Sequence, residues 1–449
     1  QPPTMASRGT ASERFVIVGN GVAGATAART LRARDDRASI ALVSDESDYF
    51  FSRTALMYAL MGQLDRRDME PFSRTAWRDL RIDRVRDRVV DLDAAAGQAR
   101  TASGATLPFD QLVVATGSVP RRLRAPGLDE GAKGVVHFVS LGDLDACEAL
   151  VPSTREAVVV GGGLIGIELV ECLVHFGVRV TFLVREPWFW PVALCREEGE
   201  RIGAALRARG VDVRLDDSLA AVERDADGRV ACVVTARGER IASQLLGVCI
   251  GVEPGIEWLR TVSTPPELRR GVVVDATLRT RLDNVWAAGD CAEVTAPGAA
   301  PFVETIWYAA KRQGELVGHN LRAPTPRAYT PPRFFNSAKF LDVEFTTVGE
   351  LTRVPEGARS VYRAHPTRPV SQRIVHHAGR VLGFNLLGSR WDHTVLSRWM
   401  DEDRAVDWVL AHLPEAAFDP EFSRVPYAQC VEHDLPVTVL GASALAVPS

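Results

Sequence analysis

Gly19-Asn20-Gly21-Val22-Ala23-Gly24 and Gly161-Gly162-Gly163-Leu164-Ile165-Gly166 carry the same spacing, G-x-G-x-x-G, in two distant parts of the chain. Each follows a short apolar run, Phe15 to Val18 or Ala157 to Val160, and each opens a stretch with helical periodicity. Glycine there permits a tight strand-to-helix turn and a close backbone approach, while the first amides of the helix face an anion. The chemistry this suits is the binding of a pyrophosphate. Asp45-Glu46 follows the first motif by roughly 20 residues, at the end of the next strand, where a carboxylate can accept both hydroxyls of a ribose. A merely tight turn, or one site with a decayed copy, is the plainer alternative. Two intact motifs in equivalent contexts predict two bound dinucleotides.

Other reactive side chains point away from thiol or metal chemistry. Cys147, Cys172, Cys195, Cys232, Cys249, Cys291 and Cys430 contain no C-x-x-C and no metal-type spacing, so a reducing, cytoplasmic compartment is expected. Cys291, beside Asp290, reads as a packing thiol. His376 and His377 fall on alternate faces of an expected strand and cannot share one metal from it. Fifty-three basic against fifty-seven acidic side chains give a net charge of -4, without the basic excess of a nucleic-acid binder. No apolar run of about 18 residues and no signal-peptide core occur, so no transmembrane segment is expected. Met5 lies in a small, polar N-terminal stretch expected to be a tail.

The elements that must position these residues are legible from periodicity. Phe15 to Val18, Val22 to Leu31 and Ser39 to Val43 form a β-α-β unit, and Ala157 to Val160, Gly161 to Gly177 and Val178 to Val184 repeat it. Leu112 to Thr116 reads as a buried strand running into the turn at Gly117. Short strands return after residue 251, notably Gly271 to Asp275 and Val285 to Ala288, ending in Gly289-Asp290. The Pro/Arg stretch Pro120 to Pro126 suggests a domain crossing and the Pro-rich Ala323 to Pro332 a linker. Beyond it, Ser371 to His377 and Arg380 to Leu387 suggest a hairpin, while Trp391, Val395, Trp399, Val406, Val409, Leu410 and Leu413 recur at helical spacing. With 46% apolar and 24% charged residues and about 150 residues per domain, the 449 residues suit three globular domains. The expected fold is α/β, with two Rossmann-like dinucleotide-binding domains and a small α+β C-terminal domain.

In order along the chain, the first cradle, Ala115-Thr116-Gly117, the second cradle and Ala287-Ala288-Gly289-Asp290 resemble the pyridine nucleotide-disulfide oxidoreductase superfamily of two-dinucleotide-domain flavoproteins, over roughly residues 13 to 322. The resemblance implies a discontinuous FAD-binding domain, 13–120 and 252–325, an inserted NAD(P)-binding domain, 121–251, and a C-terminal interface domain, 326–449. It places FAD on Gly19, Gly21, Val22, Ala23 and Gly24, with Thr116 and Gly117 shaping the nearby turn. It also sets Val89 against the adenine and Asp290, after Gly289, on the ribityl chain or pyrophosphate. Glu304 to Gly314 resembles a helix whose N-terminus faces the flavin pyrimidine edge, where its dipole would stabilise the anionic reduced flavin. Trp307 falls where the ferredoxin-reductase branch often has a flavin-side tryptophan, with core packing as the plainer alternative. Glu304 is one residue out of step with that pattern.

The branch depends on how electrons leave the flavin. Disulfide reductases carry C-x-x-x-x-C after the second strand, and the peroxide and coenzyme A-disulfide branch carries one cysteine there. Phe50 to Tyr58 contains none, which makes a thiol relay improbable. Phe51-Ser52-Arg53 resembles instead the aromatic-Ser-Arg signature of ferredoxin, putidaredoxin and rubredoxin reductases and of the nitrite reductase flavin module. Arg53 is then expected at the flavin or pyrophosphate. The signature usually continues Pro-x-Leu-Ser-Lys, and this chain departs from it at Thr54, Met57 and Tyr58.

At the second site, superfamily members binding an unphosphorylated ribose usually place Glu directly after the strand. Here Val184 occupies that place, followed by Arg185 and Glu186. A cation suits a 2'-phosphate and the neighbouring carboxylate argues the other way, so the reductant is NADPH or NADH, with the charge logic leaning to NADPH. Glu168 matches a glutamate that the superfamily often has near the nicotinamide, with a solvated helix carboxylate as alternative. The function this implies is an NAD(P)H oxidoreductase passing electrons through FAD to a ferredoxin-like carrier or another redox protein. A quinone reductase of the type II NADH dehydrogenase kind, and a flavin-carrying subunit of a larger complex, are the alternatives. Arg53, Arg66, Arg67, Arg121, Arg122 and Arg124 could dock an acidic carrier or simply be a solvated cluster. The C-terminal helical stripe is core, or else an oligomer or membrane contact.

Overall fold

The computed structural model describes residues 12–419, 421 and 430–437, so the stretch around Met5 lies outside the described residues. In chain order the main elements are β1 (Arg14–Val18), α1 (Val22–Arg34), β2 (Ser39–Ser44), β3 (Ile82–Arg86), β4 (Gln111–Val114), β5 (Val135–Val136), β6 (Glu156–Val160), α2 (Leu164–His175), β7 (Arg179–Val184), α3 (Arg196–Ala208), β8 (Asp212–Leu215), β9 (Leu245–Val248), β10 (Val285–Ala287) and α4 (Trp307–Asn320). The C-terminal part adds β11 (Phe335–Phe340), β12 (Val343–Gly349), β13 (Arg359–Ala364), β14 (Ser371–His377), β15 (Arg380–Leu387), α5 (His393–Asp401), α6 (Val406–His412) and β16 (Val431–Pro436). These form two compact units. One holds the chain up to Arg121 with 139–141 and 252–330; the other holds 122–138, 142–251 and the chain from Pro331 onward.

In the first unit a five-stranded sheet runs β10-β4-β1-β2-β3. All four of its pairings are parallel, and Val18 is in register with Val43 on one side and Val114 on the other. The three carboxyl ends therefore meet along one edge, where Gly19, Asp45 and Ala115 begin. The chain turns to opposite sides of β1 here, which makes a crevice at the strand ends. In the second unit a sheet of order β8-β7-β6-β9-β5 repeats the device, with Val160 level with Leu183 and Val248. Fully buried Val, Ile, Leu and Phe on β1, β4, β6 and β7 give the near-continuous apolar runs that a parallel sheet covered on both faces requires.

The C-terminal part of the second unit is a six-stranded antiparallel sheet, β11-β12-β15-β14-β13-β16, and the expected hairpin is its β14-β15 pair. The expected helical stripe differs from its reading. Trp391 lies outside any helix, bridged to Ala417, Leu413 opens a 3-10 turn just past α6, and the rest divides into α5 and α6, between which Asp403 takes a positive φ of 53°. Trp391, Trp399, Val409 and Leu413 pack with Val348, Ile374, Phe384 and Leu386 in a buried cluster. The stripe is thus core beneath the sheet, and the surface it offered to a membrane is consumed. Among the described residues no helix is long and apolar enough to cross a membrane. The Pro-rich stretch is not slack either. Asn320 exchanges hydrogen bonds with Arg327, and buried Tyr329 donates its N–H to the Ala276 carbonyl.

Candidate functional site

The first cradle follows from close packing. Gly19 takes φ +110°, and a Cβ on it would stand 2.1 Å from the Ala115 carbonyl oxygen. A Cβ on Gly24 would meet the Gly19 carbonyl at 1.8 Å, so only glycine lets α1 start this near the strand. Gly21 differs: it is the N-cap of α1, carries no capping side chain, and a Cβ would find nothing within 4 Å. The loop is braced by Gly19 N–H on the Val43 carbonyl (2.8 Å) and by Asn20 Nδ2 on the Ser47 carbonyl (2.8 Å). The first-turn amides of Val22, Ala23 and Gly24, which an α-helix leaves without intrahelical partners, thus begin beside the open space at Gly21.

Around it, Asp45 accepts from Arg88 Nε at 2.7 Å with both side chains well exposed. Glu46 is more enclosed and accepts from Arg53, at 2.9 Å to one oxygen and closer to the other, and from the Leu141 N–H at 3.1 Å. Arg53 also donates to the Val139 carbonyl at 2.9 Å. Val89 is buried at the start of a small antiparallel sheet. Thr116 Oγ1 donates to the Gly255 carbonyl (2.9 Å) and Gly117 takes φ +65°. Ser118 Oγ donates to Asp290 Oδ2 at 2.8 Å. Burial pushes the Asp290 carboxyl up, opposed by the Ser118 bond and by the charge of Arg53.

The third side is α4, which begins at Trp307 rather than at Glu304 as the resemblance suggested. Ile306 is still extended (φ -127°), and the Glu304 carboxylate is taken by Tyr329 Oη (2.7 Å) and Gln313 Nε2 (3.2 Å). Gln313, fully buried, accepts the N–H of Gly289 at 2.8 Å and so fixes the turn that carries Asp290. Close α1–α4 packing rests on Gly314 and Gly318, whose Cβ atoms would fall 2.4 Å from the Ala23 carbonyl and 2.6 Å from that of Ala27. The buried Nε1 of Trp307 has no hydrogen-bond partner among the described residues. Cys291 is buried with Sγ on the Val114 and Ala288 carbonyls at 3.4 Å, and burial pushes its thiol up to about 11.

The second cradle repeats the first. A Cβ on Gly161 (φ +113°) would lie 2.1 Å from the Cys249 carbonyl and one on Gly166 2.1 Å from that of Gly161, while Gly163, the uncapped N-cap of α2, faces open space. Leu164 and Ile165 supply the first turn. Glu168 lies on that helix, partly buried, and burial with a contribution from Glu171 pushes its carboxyl up to about 7. Arg185 Nε donates to Glu186 Oε1 at 2.8 Å, so the two opposed charges after β7 form one pair. Among the described residues no group of three metal-ligating side chains converges.

Sequence reasoning missed Ser118, Asn20 and the Glu304-Gln313-Tyr329 bonds. Ser118 and Asn20 adjoin or sit inside motifs that were read, and a polar side chain at those positions is the signal. The third group unites residues whose proximity depends on the folded chain.

Two cradles whose open glycines and uncapped helix amides suit pyrophosphates, at the carboxyl ends of two parallel sheets, define a two-dinucleotide oxidoreductase. The chain belongs to the pyridine nucleotide-disulphide oxidoreductase family, whose model matches residues 13–314. It is 34% identical, over 87% of its length and 95% of the relative's, to the 5,5'-dehydrodivanillate O-demethylase ferredoxin reductase subunit of Sphingobium sp. (strain NBRC 103272 / SYK-6). It is also 34% identical, over 62% of its length and 67% of the relative's, to the biphenyl dioxygenase system ferredoxin–NAD(+) reductase component of Paraburkholderia xenovorans (strain LB400). The ferredoxin reductase for the CYP199A2 system from Rhodopseudomonas palustris shares the fold, with TM-score 0.80 at 22% identity over 91% of this chain and 98% of that one. The protein is an FAD-dependent oxidoreductase that uses a pyridine nucleotide.

Proposed function

We propose that this chain takes electrons from NADPH or NADH and delivers them, by way of FAD, to a ferredoxin-like iron-sulfur carrier. The observation that carries this reading is the absence of any cysteine from Phe50 to Tyr58, with the buried thiol of Cys291, beside Asp290, held protonated. A dithiol relay therefore has no donor atoms, and the relatives named above are ferredoxin reductases. When bound, FAD supplies the conversion of a hydride donor into one-electron transfers. The amides after Gly21 would hold its pyrophosphate, with Asp45 and Glu46 toward the ribose, Val89 toward the adenine, Asp290 and Gly289 toward the ribityl chain, and Arg53 beside them. Trp307 and the amino end of α4 would face the flavin ring. Gly161, Gly163, Leu164, Ile165 and Gly166 would hold the pyridine nucleotide, with Glu168 near its nicotinamide and Arg185 near its ribose. All seven cysteines are free thiols, which supports a reducing, cytoplasmic setting. Both relatives are named as parts of multicomponent systems, which supports a C-terminal domain that contacts a redox partner or a second copy.

Of the six arginines expected to dock an acidic carrier, Arg53, Arg67, Arg121 and Arg122 are engaged by Glu46, Glu70, the Val252 carbonyl and Glu130. The carboxylates of Glu46, Glu70 and Glu130 offset part of the positive field there. The test is anaerobic reduction with NADH and NADPH, followed by stopped-flow mixing with a [2Fe-2S] ferredoxin, a rubredoxin and a short-chain quinone over a range of salt. Carrier reduction that slows as salt rises is expected, because such encounters are screened over about 8 Å at physiological ionic strength. Rapid quinone turnover with no carrier reduced would replace this reading with the quinone reductase.

A further inference from the structure

The segment 185–195 joins β7 to α3 and opens with the Arg185–Glu186 pair. Connecting loops normally run over the surface, yet this one is enclosed from two sides. Trp188 is buried over Gly199, where a Cβ would meet its ring at 2.6 Å, and its Nε1 donates to the Leu194 carbonyl at 2.9 Å. Phe189 is buried between Phe182 of β7 (6.2 Å) and Phe340 of β11 (6.1 Å), and Trp190 meets Phe345 of β12 edge-on at 5.4 Å. The Ala193 carbonyl accepts from Asn385 of β15 at 3.0 Å and from Arg373 of β14 at 3.4 Å.

Just beyond, in the first turn of α3, Glu198 is fully buried. Its Oε2 accepts from the Cys195 N–H (2.9 Å) and Asn385 Nδ2 (2.8 Å) and stands 3.2 Å from the Arg373 guanidinium, itself only 4% exposed. The cluster is incompletely satisfied, because Glu198 Oε1, Arg373 Nε and Asn385 Oδ1 have no hydrogen-bond partner among the described residues. Removing two charges from water costs several kcal/mol per ion, and unpartnered polar atoms add to that, so well-packed apolar residues would hold these layers together at least as well. What such a cluster does supply is a single permitted arrangement. The same sheet also holds the helix of the second cradle, since Glu171 of α2 accepts the Leu341 N–H at 2.6 Å.

We propose that the C-terminal sheet positions the nucleotide-recognition loop: Arg373 and Asn385, through Glu198 and the Ala193 carbonyl, set where Arg185 and Glu186 stand, and so set both the affinity for the pyridine nucleotide and the preference between a 2'-phosphate and a 2'-hydroxyl. These are positioning residues, since none of them belongs to the cradle. The inference rests on assigning the second cradle to the pyridine nucleotide.

The test titrates the FAD-loaded full chain with NADP+ and NAD+ by calorimetry and follows amide hydrogen exchange across 185–195, with flavin content as a control. Asn385→Leu removes the bonds to Ala193 and Glu198 by putting an apolar side chain of similar size in place of the amide. It is expected to retain its flavin, to speed exchange in 185–195, to weaken the preferred nucleotide about tenfold and to narrow the NADP+/NAD+ ratio, since one lost hydrogen bond to a fixed loop is worth about 1.4 kcal/mol. Should it fail to fold, Phe345→Leu, which removes the buried ring that meets Trp190 edge-on and Phe340 at 6.0 Å, puts the same question. A variant with faster exchange in the loop but unchanged affinity and ratio overturns the proposal. A wild-type chain that binds neither nucleotide refutes instead the assignment of the second cradle.

Discussion

Gly21 and Gly24 lie three residues apart in one motif, yet their surroundings predict different failures. In Gly24→Val the new Cβ would stand 1.8 Å from the Gly19 carbonyl, where about 3.4 Å is ordinary contact. The helix must then retreat by roughly 1.6 Å from a strand in the middle of the core, and overpacking on that scale costs several kcal/mol. In Gly21→Val the backbone (φ -66°, ψ -174°) is one any residue adopts and no protein atom lies within 4 Å, so the chain folds normally. What it loses is the open space beside the α1 amides. Losing two charge-assisted hydrogen bonds, at about 1.5–3 kcal/mol each, weakens flavin binding by roughly 10²- to 10⁴-fold. The assay is thermal melting of flavin-stripped protein beside flavin content by absorbance after denaturation. Gly21→Val should melt like wild type and purify without colour, while Gly24→Val should be insoluble or melt far lower. A Gly21→Val chain with full flavin content would refute the assignment of the first cradle, and a wild-type melting temperature for Gly24→Val would refute the packing argument.

Arg185→Ala should weaken NADPH by about 1.5–3 kcal/mol and leave NADH nearly unchanged, read as separate dissociation constants; equal losses would return recognition to Glu186. Glu168 loses its proton as pH rises through about 7, which adds a negative charge on the helix of the second cradle. Nucleotide affinity should therefore fall from pH 6 to pH 8 in the wild type and stay flat in Glu168→Gln, and a persistent slope in the variant would place the titrating group elsewhere. The same shift makes this carboxyl a stabilising element only while protonated: its contribution is full below the ordinary carboxylate range and is lost as pH rises toward 7. Replacing Cys291 and Cys195 with Ala should leave NAD(P)H oxidation within a few-fold, because burial keeps both thiols protonated; loss of flavin reduction in a folded variant would contradict a cysteine-free route.

The β-α-β units and both cradles were legible because their determinants are local. Strand periodicity, glycine spacing and a following helix lie within one stretch of chain, and the steric demands on Gly24 and Gly166 come from the turn itself, whereas those on Gly19 and Gly161 come from Ala115 and Cys249, which the folded sheets bring alongside. Thr116-Gly117 and Gly289-Asp290 were legible only as landmarks, since the bond from Ser118 to Asp290 joins parts of the chain that meet through the β10-β4 pairing. The start of α4 was misplaced by three residues because Glu304 is held by Tyr329 and Gln313, a tertiary bond that outweighs local helical preference. Trp391 shared the periodicity of its neighbours but not their helix, for the same reason. The sequence by itself determined the two nucleotide cradles and the want of a thiol relay, because these depend on residue type and spacing. Only the tertiary structure decided that the loop opened by Arg185 and Glu186 is held by Arg373 and Asn385, because a buried charge acquires its partner from whichever distant strand the packing brings against it.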